Sequence, residues 1–81
     1  MDRKYIPKAD LQDGAYYNGH CRNASIARWF ASENQFVYWR TKFGDRFTET
    51  INHPEDDNGF DLFYPERLVE DYEGDPIELD K

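Results

Sequence analysis

His20, Cys21 and His53 are the side chains of this 81-residue sequence best suited to hold a metal or to act as nucleophile and base. Their spacing argues against both uses. A structural zinc site draws on several thiolates and imidazoles at short, regular intervals, and here there is one thiol with no Cys-x-x-Cys or His-x-x-x-His pair. Cys21 and His20 are adjacent, so in a strand they point to opposite faces and cannot pass a proton between them. The run Glu55-Asp56-Asp57-Asn58-Gly59 has the composition of a calcium loop, but aligning Gly59 with the turn puts Pro54 and Pro65 at the first and last ligand positions, where neither can coordinate through a side chain. No phosphate-cradling glycine loop occurs. The carboxylates crowd into the C-terminal tail, which offers no rigid frame for acid-base work. The expectation is a non-enzyme with no cofactor and no metal.

Recognition chemistry is better represented. Residues 36–47, FVYWRTKFGDRF, interleave Arg40, Lys42 and Arg46 with five aromatic rings. Aromatics beside cations can stack on a flat or apolar group while the charge engages an anion. Tyr38, Arg40 and Lys42, with Arg28 across a hairpin, therefore form a candidate binding face. Charge limits what it would bind. The chain carries a formal net charge of −7, unevenly spread: residues 1–52 hold eight Lys or Arg against six acids, whereas residues 53–81 hold two against eleven. Such a balance repels a polyanion at long range, so a protein partner is favoured over nucleic acid.

The elements that must position these residues are short and β-rich. Eighty-one residues make one domain, and six Phe, six Tyr and two Trp outnumber the ten Leu, Ile and Val, so the core is aromatic. Residues 1–10 read as an extended arm and 11–69 as the folded domain. Asp13-Gly14 turns the chain into a strand over 15–22 whose row Ala15, Tyr17, Gly19 and Cys21 faces the core. Residues 25–32 fit a strand or a helix capped by Asn23, with the strand favoured because Glu33-Asn34-Gln35 then closes a hairpin with 36–43. In that strand the charges select Val37, Trp39, Thr41 and Phe43 as the inward row and Phe36, Tyr38, Arg40 and Lys42 as the outward one.

Gly44-Asp45 leads into a strand over 46–52. A two-residue loop there sets Arg40 opposite Glu49; a bulge pairs Phe43 with Phe47 and turns Phe47, Glu49 and Ile51 inward, the register favoured for burial. A last strand over 60–63 and a helical turn over 65–69, opened by Pro65, complete the domain. The fold class expected is mainly β: a small five-stranded antiparallel SH3-like barrel with a short C-terminal helical turn, lined by Trp29 and Trp39, and followed by an acidic tail over 70–81 expected to be mobile. Ile77 and Leu79 are the tail residues able to dock.

Gly14-Ala15-Tyr16-Tyr17-Asn18-Gly19-His20-Cys21, followed by Phe36-Val37-Tyr38, Phe43-Gly44 and Glu49, resembles the pattern of Tudor-type SH3-like barrels over about residues 11–69. The chain is also similar to small bacterial and phage proteins, a likeness that implies no function. The Tudor resemblance implies an aromatic cage for a methylated lysine or arginine, with Tyr17, Tyr38 and Phe43 as the matching positions. The acidic residues Glu66, Glu70, Asp71, Glu73 and Asp75 give a second candidate surface, one that meets a basic partner, mimics nucleic acid, or folds over Arg40 and Lys42 as a lid. The expected function is a cytoplasmic binding or adaptor module for a protein partner. An acidic inhibitor and a nucleic-acid-binding barrel are the alternatives. No apolar run is long enough to span a bilayer as a helix, and a single cysteine suits a reducing compartment.

Overall fold

Chain reversals fall where the backbone chemistry allows them, and they divide the sequence into five strands. The computed structural model describes residues 4–57, 59 and 61–79. Strands β1 (Tyr16–His20), β2 (Ile26–Phe30), β3 (Gln35–Lys42), β4 (Asp45–Ile51) and β5 (Tyr64–Val69) form one antiparallel sheet in the order β4-β3-β2-β1-β5. Asn34, at φ 54°, ends the turn between β2 and β3. Phe43 and Gly44, at φ 53° and 83°, form the turn between β3 and β4. Two central residues with positive φ match the right-handed twist of the flanking strands, a conformation that Gly44 adopts freely and Phe43 adopts at a cost. No helix among the described residues is long and apolar enough to cross a membrane.

The expected closed barrel is not what forms. β4 and β5 are opposite edges of an open sheet. The segment between them makes a 3₁₀ turn over Pro54–Asp56 and a single parallel bridge, Asn52 to Leu62, instead of a closing strand. Residues 65–69, expected as a helical turn, belong to β5, and the last strand is therefore Tyr64–Val69 rather than 60–63; Phe60 lies outside the described residues. Pro65 is tolerated in a strand because β5 is an edge and because the β1–β5 register shifts between Asn18 and Gly19, where Gly19 meets Pro65. Gly19 is required at that crossing: a Cβ there would lie 2.2 Å from the Tyr64 carbonyl oxygen and 2.9 Å from the Pro65 Cα.

One face of the sheet carries the core. Tyr17, Ala27, Trp29, Phe36, Tyr38 and Ile51 point into it, joined by Phe63 from the connecting loop, with Ile6 and Leu11 packed against them. β1 follows the expected alternation, residues 25–32 resolve as strand, and Trp29 faces the core as expected. β3 reverses the expected one. Phe36 and Tyr38 face the core, while Val37 and Trp39 lie on the other face. The charges misled because Arg40, in the core-facing row, sits beyond the core where the hairpin extends outward and is met there by Glu49. Val37 and Trp39 of the opposite row are also covered, Val37 fully and Trp39 in part. Residues 70–79, expected as a mobile tail, run across it and bury Ile77 completely.

The hairpin register combines features of both expected registers. Tyr38 opposes Glu49 and Arg40 opposes Phe47, so Phe47, Glu49 and Ile51 share the core-facing side as favoured, but through a two-residue Phe43-Gly44 turn and without a bulge.

Phe36→Ala removes the ring at the centre of the cluster and should cost about 3–5 kcal/mol, leaving the chain largely unfolded by near-ultraviolet circular dichroism. Gly19→Ala should cost about 1–3 kcal/mol through the clash at β5, measured by urea unfolding; unchanged midpoints for both would contradict this packing.

Candidate binding surfaces

The long β3–β4 hairpin carries the first surface. Tyr38 and Glu49 are cross-strand neighbours, and the Tyr38 hydroxyl donates to Glu49 Oε2 at 2.8 Å. Arg40, one step along on the same face, donates from Nη1 to the same oxygen at 2.9 Å. These three groups line a shallow cleft of about 340 Å³ with Asn23, Gln35 and Asp61. Burial pushes the Tyr38 phenol above its ordinary pKa; Asn23 opposes the rise and Glu49 adds to it. The Arg40 hydrogen bond, then that of Tyr38, holds the Glu49 carboxyl below the ordinary glutamate value. Glu49, turned inward in the register favoured from sequence, therefore has two partners.

The hairpin ends in an exposed aromatic. Phe43 is 93% exposed, and the Lys42 ammonium lies 5.7 Å from its ring centroid. The aromatic-basic face expected from Tyr38, Arg40 and Lys42 is thus divided. Tyr38 is buried, Arg40 is occupied by Glu49, and Lys42 stands at the tip beside Phe43. Arg28 does not join them. It is paired with Val37 and so lies on the opposite side of the sheet from Tyr38 and Arg40. The aromatic cage does not assemble either, because Tyr17 and Tyr38 are core residues 1% and 3% exposed and only Phe43 is open to solvent.

The second surface lies on the far side. Arg28 donates from Nε to the Gly14 carbonyl at 2.8 Å and from Nη1 to the Ile77 carbonyl at 2.6 Å, with its guanidinium over the rings of Tyr16 and Phe30. Arg46 lies 4.2 Å from the Trp39 ring centroid and donates to the Asp75 carboxylate at 2.6 Å. Of the expected acidic residues, Glu66, Glu70, Asp71 and Glu73 are exposed, while Asp75 is committed to Arg46. The tail therefore folds over Arg28, Trp39 and Arg46, not over Arg40 and Lys42. Tyr16, Trp39, Arg46 and Tyr72 were not among the binding residues expected from sequence, Trp39 being assigned to the core; the usable signal was an aliphatic pair, Ile77 and Leu79, inside an otherwise acidic run.

His20 is exposed, and the Cys21 thiol, half-buried, donates to the Ala24 carbonyl. His53 is fully buried. Its Nε2–H donates to the Ile6 carbonyl at 2.8 Å and its Nδ1 accepts from the Glu55 N–H at 3.1 Å, which uses both ring nitrogens. Among the described residues no group of three His, Cys, Asp or Glu side chains is placed to hold a metal ion. Comparisons with protein-family models, curated proteins and solved structures return no match, so the geometry carries the functional argument.

Because the folded-state pKa of Glu49 is depressed, its ion pair contributes fully above the ordinary glutamate value and is lost as pH falls through the lowered one. Glu49→Gln should therefore flatten the acid limb of the stability-against-pH curve in that window while leaving neutral-pH structure intact. Both partners are part-exposed, so the effect should shrink with added salt. Overlapping curves for the two proteins would refute it.

Proposed function

We propose that the chain is a non-catalytic protein-binding module whose β3–β4 tip, Phe43 with Lys42, inserts into an apolar pocket of its partner. The observation that carries this reading is Phe43: a large ring, 93% exposed, held at φ 53° in a turn position that Asn or Gly would occupy with less strain. The phenyl ring buries almost no apolar surface within the chain. Burial on a partner would recover about 1.5–3 kcal/mol, and a rigid hairpin presents the ring at little entropic cost. Lys42 beside the ring favours a pocket rimmed by carboxylates. Arg28, Arg40 and Arg46 are each engaged within the chain, which weakens the nucleic-acid alternative. The single cysteine favours action in a reducing cytoplasm.

A second reading, an acidic decoy for a basic surface, is supported by one feature. The anchoring of Ile77 holds the segment bearing Glu70, Asp71 and Glu73 against the sheet, so their carboxylates are presented from a seated backbone.

Photo-crosslinkers placed singly at positions 43 and 70 separate the two readings. Crosslinking from 43 to one protein, with Phe43→Asn weakening the purified complex about 30-fold, equivalent to about 2 kcal/mol, and no loss of thermal stability, is the expected result. Crosslinking confined to position 70, with affinity that falls steeply with salt and is indifferent to Phe43→Asn, would replace it with the decoy reading.

A further inference from the structure

The C-terminal segment is held on the outer face in an unusual way. Its described residues, 70–79, form no ladder with any strand, yet their backbone is gripped at three points by side chains of the sheet. The Trp39 indole N–H donates to the Asp75 carbonyl at 3.1 Å, the Tyr16 hydroxyl accepts from the Ile77 N–H at 2.9 Å, and Arg28 donates to the Ile77 carbonyl at 2.6 Å. Contacts to main-chain groups hold any extended segment that reaches them, whatever its sequence. Two further features select. Arg46, stacked on Trp39, takes the Asp75 carboxylate, and the Ile77 side chain enters a site where it is 0% exposed. Pro76 between them fixes its own φ and biases Asp75 before it toward extended backbone.

Backbone capture by side chains, one charged contact and one aliphatic pocket are the elements of a peptide-recognition groove. The segment reaches that groove from β5 through Glu70–Gly74, with Tyr72 stacked on Tyr16 at a centroid distance of 3.9 Å. A short tether of this kind adds a high effective concentration to these contacts.

We propose that this outer face, built from Tyr16, Arg28, Val37, Trp39 and Arg46, is a binding groove for an extended segment of a partner protein bearing a carboxylate two residues ahead of an aliphatic residue, and that Asp75-Pro76-Ile77 fills it in cis as a competitor. The partner is defined by complementarity to the groove: an anionic group for Arg46, an aliphatic side chain for the Ile77 site, and free backbone groups between. This groove lies on the opposite side of the sheet from the Tyr38 and Arg40 row and does not depend on the reading of Phe43.

The test uses the full chain, wild type and Asp75→Asn, with a synthetic peptide of residues 73–79 as the probe and the Trp39 indole N–H resonance as the readout. Asp75 is solvent-facing, so its replacement loosens the cis segment without touching the core. The expected result is saturable movement of the indole resonance, with an apparent affinity at least about fivefold tighter for Asp75→Asn than for wild type, because weakening the cis competitor raises the open population. A peptide carrying Lys and Ser in place of Asp75 and Ile77 should not bind, and Arg46→Glu in the Asp75→Asn background should remove binding. Ile77→Ser, if it folds, should tighten peptide binding further. No indole shift in folded Asp75→Asn at about 1 mM peptide would overturn the proposal. So would light scattering showing that the variant pairs with a second copy by exchanging tails instead of taking up the peptide.

Discussion

Phe36, near the start of β3, has no exposed surface, and its ring is the point at which the separate parts of the molecule meet. Trp29 lies 4.9 Å from it and Phe63 4.8 Å, both tilted, with Tyr17 edge-on at 6.3 Å. His53 stacks at 6.3 Å and ties its two nitrogens to Ile6 and Glu55, so the N-terminal segment and the 3₁₀ turn are both placed relative to this one ring. A chain of this length with ten branched aliphatic residues has few other means of building a core. Large rings fill it from few positions, and the geometry of their edges and faces then dictates where the irregular segments can lie.

β3 is covered on both sides. In its first half Phe36 and Tyr38 are buried by the aromatic cluster, and on the other face Val37 is buried and Trp39 half-buried beside the returning C-terminal segment. This double cover changes the electrostatics of the surface. Arg28 and Arg46, which make the first part of the chain mildly basic on paper, are spent on carbonyls, rings and Asp75. Arg40 is likewise joined to Glu49. The Arg40–Glu49 and Arg46–Asp75 pairs each cancel one charge of either sign, while Glu70, Asp71 and Glu73 of the tail remain exposed. Against that field the Phe43 tip and its neighbouring ammonium form a local exception.

The two candidate surfaces differ in what organises them. At the tip, a left-handed turn holds an apolar group outward, and rigidity comes from the seven-residue β4 paired along β3. On the outer face, side chains converge on a backbone that is already seated. The first is a projection looking for a concavity, the second a concavity already filled. A molecule of this size can present both because a single open sheet has two sides, and no wall of strands closes either one.

Local sequence determined the strands β1 to β4, the aromatic character of the core, the inward row of β1 with Tyr17 and Gly19, and the inward Trp29, because period-two alternation and turn residues act over a few neighbours. It also marked Ile77 and Leu79 as able to dock. Tertiary structure alone decided which row of β3 faces the core, whether the sheet closes, and that Pro65 lies in a strand. Each of those depends on a segment distant in sequence: the tail that shelters Val37 and Trp39, the loop that brings Phe63 beneath Phe36, and the Gly19 crossing that receives Pro65. Alternation tells which residues share a side, but only the arrival of a distant covering element makes that side an interior.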